Sequence, residues 1–391
     1  MTDRSNTLPV PTSEALAHSE SLRQRIVQEI ERTGGWISFA RYMELALYAP
    51  GLGYYNGGTC KFGAAGDFIT APELTPLFGE TLATQVVELC ARSAPSIIEV
   101  GAGSGALAAD VLLELERRDA LPERYSVLEL SGDLRARQHA TLKKRAPQHL
   151  ERVVWLERMP ERVHGVVIAN EVLDAMPVHL VVWREGTVEE RGVAVDGAGR
   201  LVWQNRPAQG QLRDVALTLP IEGSDDLPYV SEIQLAACAW VATWAKLLDC
   251  GALLLIDYGF PRSEYYHPQR ASGTLMCHYR HRTHDDPFYL PGLNDITTHV
   301  DFTAIAEAGC DAGLDLLGYT SQAQFLINCG ITDMLSRRLP TEPAQYLPLA
   351  SRVQKLISPA EMGELFKVIA LGQGIVPGLV GFACGDRSHS L

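Results

Sequence analysis

The stretch SIIEVGAGSGALAADVLLELE, residues 96–116, constrains the fold more than any other. A short apolar run, SIIEVG, reads as a buried strand. It ends in glycines at 101, 103 and 105, and a helical pattern follows with Leu107, Val111 and Leu115 on one face. A strand feeding a glycine turn and then a helix brings backbone N–H groups close to a ligand at the strand's carboxyl end.

The segments that follow keep the alternation. YSVLEL is a second strand and LRARQHATLKKR a basic helix; VVWL and GVVIAN are third and fourth strands, and ALLLIDYG is a fifth. Such alternation predicts a largely parallel sheet covered on both faces, with the ligand at the strand ends. LVVWREGTVEERGVAV and GRLVWQN read as antiparallel β, turning at Glu185-Gly186 and Asp196-Gly197. SEIQLAACAWVATWAKLLDCG reads as a helix opened by a Ser231–Gln234 capping box. Later, Asp301 is the natural cap of a helix in DFTAIAEAGCDAG, LDLLGYTSQ is a strand, further helices follow, and GLVGFACG is the final strand.

Upstream of the glycine turn the reading is helical. Residues 1–20 are polar and expected to be flexible. Leu22, Ile26 and Ile30 mark a first helix that Gly34-Gly35 ends, and Ser38 caps a second bearing Phe39, Met43 and Leu47. GLGYYNGGTCKFGAAGDFITAPELTP then has many turn residues, yet Tyr54, Tyr55, Phe62 and Phe68 argue against disorder. Thr75 and Pro76 read as cap and first residue of the next helix. The expected organisation is therefore a flexible stretch 1–20, a helical and glycine-rich region 21–95 packing on the core, and a core 96–391 with insertions at about 180–220 and 259–300.

A formal charge of −13 argues against a nucleic-acid backbone as the main partner and suits a cationic one. Eight scattered cysteines without a CxxC pair read as free thiols in a reducing compartment. The first 24 residues show neither an apolar signal core nor an Arg-rich presequence, and no run of 18 apolar residues occurs. Cytoplasmic placement without membrane insertion is the expectation.

Gly101, Gly103 and Gly105 with Ala106 also satisfy the dinucleotide pattern, so NAD is not excluded by the turn alone. Glu99 inside the strand, the early third glycine and the position deep in the chain favour another ligand. The second strand ends in Glu129, suited to ribose hydroxyls; the fourth ends in NEVLDAMPVH; the fifth ends in Asp257-Tyr258-Gly259. An acidic rim without a lysine suits a ribose with a cationic head and no pyrophosphate. S-adenosylmethionine has those features.

GLGYYNGG, GDFITAPELTPLFGE, EVGAGSGALAADVL, NEVLDAMPVH, LLLIDYGF and GTLMCHYRHRTHDDPFYLPGLNDITTHVDF resemble the MidA-like methyltransferases, over about residues 20 to 385. That family includes mitochondrial assembly factors of respiratory complex I and bacterial relatives. The resemblance implies an α/β fold: a Rossmann-like class I methyltransferase core with an N-terminal helical extension and an inserted β-rich and helical substrate region. It implies S-adenosyl-L-methionine as cofactor and methylation of arginine on a protein partner; homodimerisation is left open. Carried over by position, Gly101, Ala102, Gly103 and Gly105 shape the cofactor turn, Glu99 holds the ammonium end and Glu129 the ribose. Asp67, Phe68, Thr70 and Pro72 cover the cofactor from the N-terminal side.

Chemistry is expected at 170–174. Asn170 sits where many N-methyltransferases carry the first residue of an (N/D)-P-P-(Y/F) motif, from which this sequence departs. It is assigned to both catalysis and cofactor binding. Glu171 and Asp174 supply carboxylates that can orient a protonated guanidinium and accept its proton, unless they cap a helix starting near Val172. Substrate contacts are expected from Tyr54, Tyr55, Glu73, His278, His281, Asp295 and His299. His278, His281 and His284 lack a clear fourth ligand, so no metal is expected. Rivals at this point are a small-molecule methyltransferase of the same fold, a cofactor-binding assembly factor without essential catalysis, and an NAD-dependent oxidoreductase.

Overall fold

The computed structural model describes residues 8–57, 70–221, 223–224, 226–338 and 343–391. The chain divides into two compact units interleaved in sequence. One comprises residues up to 68 with 175–236 and 266–299; the other comprises 69–174, 237–265 and 300–391.

The second unit is built on a sheet of β1 (Ser96–Val100), β2 (Arg124–Leu128), β3 (Val153–Leu156), β4 (Val163–Asn170), β5 (Leu248–Phe260), β6 (Asp315–Ser321) and β7 (Phe366–Gln373). Their order is β6-β7-β5-β4-β1-β2-β3. Pairing is parallel from β3 through β5, and β7 runs antiparallel to both β5 and β6. This is the expected Rossmann-like arrangement, consistent with the strand–helix alternation. Aliphatic residues on both faces of the central strands are buried (Ile97, Val166, Val167, Ile168, Leu253, Leu254), as crossover helices on both faces require.

Helices Leu77–Arg92 and Ala106–Arg117 pack on this sheet through Phe78, Leu82, Val86 and Leu89, and through Leu107, Val111 and Leu115. Helix Gly132–Arg145 is capped by the Ser131 hydroxyl and carries Asp133 in its first turn. Its last turn holds Lys143, Lys144 and Arg145, charges that complement the helix dipole.

Two expectations change here. GLVGFACG is not a strand: Gly378 and Gly385 adopt positive φ (93° and 67°), and the segment forms a short 3-10 turn at Val380–Phe382. The final strand is β7, whose buried run has no half-exposed alternation to betray it. The helix after Thr75 starts at Leu77, with Pro76 as its cap and a short helix Ala71–Leu74 before it.

The first unit has its own core, formed by Leu22, Ile26, Ile30, Phe39, Tyr42 and Leu47 with Val178, Leu180, Val193 and Ile296. Helix Ser13–Arg32 is capped by the Thr12 hydroxyl, so the stretch expected to be flexible contributes its last eight residues to a helix. Gly34 and Gly35 end it with φ of 82° and 85°, and Ser38 caps Phe39–Tyr48 as expected. Strands His179–Arg184, Thr187–Val195 and Leu201–Pro207 form the antiparallel meander read from the sequence. Tyr229–Ile233 joins it by pairing with His179–Arg184, so Ser231 lies in a strand and the following helix is Leu235–Leu247. The 259–300 segment carries a small sheet: Met276–Tyr279 pairs with Arg282–His284 and Asp295–Thr297. Both insertions thus share a unit with the N-terminal residues, while residues 70–95 fall in the other unit.

The seven cysteines among the described residues are free thiols. Among the described residues no helix is long and apolar enough to cross a membrane.

Candidate active site

The turn after β1 has three left-handed glycines, with φ of 65° at Gly101, 52° at Gly103 and 83° at Gly105. Gly101 N–H donates to the Leu128 carbonyl at the end of β2 (3.2 Å), and Gly105 N–H to Ala102 (2.7 Å), which closes the turn. A Cβ on Gly105 would lie 3.0 Å from the Gln138 Cα and 3.2 Å from its carbonyl oxygen. Close approach and positive φ together demand glycine there.

Gln138, which the sequence reading missed, is fully buried on helix Gly132–Arg145. Its Nε2 donates to Glu129 (3.1 Å) and to the Gly103 carbonyl (3.2 Å), while its Oε1 accepts from Trp155 Nε1 (3.0 Å). Glu129 also accepts from Ser131 N–H (2.9 Å). Burial pushes its carboxyl up, opposed by these hydrogen bonds. Leu130 beside it is 76% exposed, an apolar face next to the acid. Glu99 is buried within β1 and accepts from the Tyr125 hydroxyl (2.6 Å). Burial raises its pKa to about 7, and the Tyr125 bond opposes the shift.

The second half of the site is the turn leaving β4. No helix starts at Val172, so Glu171 and Asp174 are not helix caps. Glu171 sits at φ 53°, a region few non-glycine residues adopt. Its N–H donates to the Ile256 carbonyl of β5 (2.9 Å). Its Oε1 accepts from Asn170 Nδ2 (3.1 Å) and from Ala71 N–H (3.3 Å). Asn170 Oδ1 is buried without a hydrogen-bond partner among the described residues.

Asp257, on β5 next to this turn, holds it. Its Oδ2 accepts from the N–H groups of Val172 (3.1 Å), Leu173 (2.9 Å) and Asp174 (3.2 Å). Its Oδ1 accepts from Tyr258 N–H (2.9 Å). The Tyr258 hydroxyl donates to Asp174 Oδ2 (2.6 Å). Burial, then the charges of Asp174 and Glu171, drive the Asp257 carboxyl well above the ordinary range, against the N–H groups that favour the anion. The glycine turn and this segment meet directly: a Cβ on Gly101 would lie 3.1 Å from Val172 Cγ2.

The short helix Ala71–Leu74 reaches the same place. Thr70 is its cap residue and Pro72 lies in its first turn. Glu73, expected to face substrate, accepts a hydrogen bond from the Ser104 hydroxyl and so braces the glycine turn. Asp67 and Phe68 lie outside the described residues.

The remaining expected substrate contacts belong to the other unit. Tyr55 donates from its hydroxyl to buried Asp295 (2.9 Å) and packs against Tyr48 and Tyr54. His278 pairs with Asp295 across the three-stranded sheet. His281 is exposed and, with Arg280, makes the two-residue hairpin turn, at φ of 61° and 47°. The backbone of His299 bonds to the side chains of Thr274 (3.0 Å) and Gln234 (2.8 Å).

Residues 77–320, more than half of the chain, match the family model described as "Putative S-adenosyl-L-methionine-dependent methyltransferase". The chain belongs to this family. It is an S-adenosylmethionine-dependent methyltransferase of the MidA-like group. A crystal structure of a Burkholderia thailandensis protein, solved with S-adenosyl-homocysteine bound, is 53% identical with a TM-score of 0.94 and covers 98% of this chain and 100% of its own. The methyltransferase is also similar to "Protein arginine methyltransferase NDUFAF7, mitochondrial" of Danio rerio: 29% identical over 385 residues, 90% of this chain and 87% of the relative. The Homo sapiens protein of the same name is 26% identical over 382 residues, 89% and 82% of the two chains.

The residues present fit the family's cofactor. Glu129 is oriented by Gln138 and suits ribose hydroxyls, exposed Leu130 suits a purine face, and the glycine turn leaves no Cβ in the way. Buried Asn170 Oδ1 and Glu99 offer acceptors to a cationic N–H donor.

Proposed function

We propose that this methyltransferase acts on a guanidinium nitrogen of an arginine in a protein partner. The observation that carries the reading is the carboxylate cluster of Glu171, Asp174 and Asp257 at the ends of β4 and β5, in the same unit as the glycine turn. A site this acidic favours a cation. The relatives named protein arginine methyltransferases support the same acceptor class.

In this reading Glu129 holds the ribose, while Glu99 and Asn170 hold the cationic amino-acid end. Bound there, S-adenosylmethionine supplies an electrophilic methyl group on a sulfonium. Glu171 and Asp174 accept N–H bonds from the guanidinium, a pairing whose planarity suits two carboxylates. They align one nitrogen for in-line attack, and alignment supplies much of the rate. As the N–C bond forms and the S–C bond breaks, one N–H proton must leave. The Glu171 carboxylate, braced by Asn170 and the Ala71 N–H, is the acceptor for it. Tyr55, Asp295, His278, His281 and His299 are assigned to partner recognition.

Methyl-labelled cofactor incubated with the enzyme and a cell extract, followed by mass spectrometry, tests the reading. A labelled arginine in a protein is expected. Label confined to small molecules or to other side chains would sink it.

A further inference from the structure

We propose that Asp257 is a positioning residue for methyl transfer, its carboxylate setting the backbone at 171–174 and so aiming Glu171 and Asp174. Three successive N–H groups, at Val172, Leu173 and Asp174, converge on one oxygen of Asp257. No helix or sheet ladder engages them. Glu171 is held in a left-handed conformation at the head of this turn by its own N–H to Ile256, the residue before Asp257. Tyr258, the residue after, fixes the Asp174 carboxylate. Three consecutive residues at the end of β5 thus set the backbone of the acidic turn and one of its two side chains. Without the Asp257 acceptor, three N–H groups in a mostly buried turn would lack partners, and the turn would rearrange to find them.

The substitution D257N keeps the size of the side chain and removes its second acceptor. The 172–174 amides use one carboxylate oxygen and the Tyr258 N–H uses the other. Either placement of a carboxamide therefore sets an NH2 group against an N–H donor. Local opening of this turn is readable by amide hydrogen exchange.

The proposal rests on Glu171 and Asp174 forming the acceptor side, and the experiment separates the two. Hydrogen exchange is measured on the full chain with S-adenosylhomocysteine, and methyl incorporation with labelled cofactor and cell-extract proteins. For D257N, exchange at 172–174 is expected to rise at least about tenfold while that of 96–117 is unchanged. The S-adenosylhomocysteine Kd and cofactor KM should stay within about threefold while the rate falls at least about tenfold. Unchanged exchange, or faster exchange with undiminished transfer, overturns the proposal. Loss of transfer in D257N with full activity in E171Q and D174N overturns the reading of those carboxylates instead and leaves Asp257 as the group that positions the turn. Should D257N fail to fold, the wild-type chain decides: 172–174 amides exchanging as fast as exposed loop overturn the proposal, and protected ones support it.

Discussion

Gln138 Nε2 lies 3.1 Å from Glu129 Oε2, and the same nitrogen lies 3.2 Å from the carbonyl of Gly103. One buried amide therefore ties Glu129 to the glycine turn, with Trp155 fixing which way the amide points. Q138A leaves Glu129 and the Trp155 N–H short of partners in a buried site. Cofactor affinity is expected to fall about tenfold, and stability by roughly 2 kcal/mol. Calorimetry and thermal unfolding measure the two separately, and unchanged affinity would remove Gln138 from the site.

The Glu99 carboxyl gives the free enzyme a characteristic pH response. Its folded pKa is about 7, while an unfolded glutamate titrates near ~4.3. Between those values the folded chain keeps a proton that the unfolded chain has lost. Stability therefore falls as pH rises across this window, by up to about 1.4 kcal/mol per unit, with no penalty below it. E99Q should flatten that decline in cofactor-free unfolding curves. If Glu99 faces the ammonium end, binding needs its carboxylate. Wild-type affinity should then weaken as pH falls below 7, with a proton released that calorimetry in two buffers detects. E99Q should release none.

At the acidic turn, E171Q and D174N should each lower methyl transfer at least about a hundredfold, the range expected for loss of a positioned base. Cofactor affinity should move little. E171G tests the backbone as well: glycine adopts φ 53° without the strain of about 1 kcal/mol that a side chain brings. The variant should be as stable as wild type or slightly more so while inactive. A marked drop in its melting temperature would show that the Glu171 side chain also supports the fold.

Gly105 carries both left-handed backbone and contact with Gln138. G105A should destabilise the chain by about 1–3 kcal/mol and weaken cofactor binding more than tenfold. Wild-type affinity in this variant would mean that the turn and Gln138 can separate without cost to the site.

What the sequence made readable was local. The caps at Ser38 and Asp301, the glycine stop after Ile30 and the strand runs at 96–100 and 165–170 each depend on neighbours within a few residues. The role of Gln138 depends on residues 103, 129 and 155, which only the fold brings together. Asp257 was legible as a strand-end acid. Its grip on 172–174 follows from the register that sets Ile256 against Asn170. Ser231 reads as a cap within its local sequence, but its strand partner lies some 50 residues away, at Val181.

The reversed strand β7 has a consequence for where this enzyme can be cut. The matched family region ends at residue 320, inside β6, yet β7 at Phe366–Gln373 lies between β5 and β6. A chain stopped there would keep two strands whose shared neighbour is missing, each with a bare row of N–H and C=O groups. Such edges recruit other chains. Solubility on truncation is therefore set by the last twenty-odd residues, whose strand also lays Lys367 beside Asp257 and Phe366 against Tyr258.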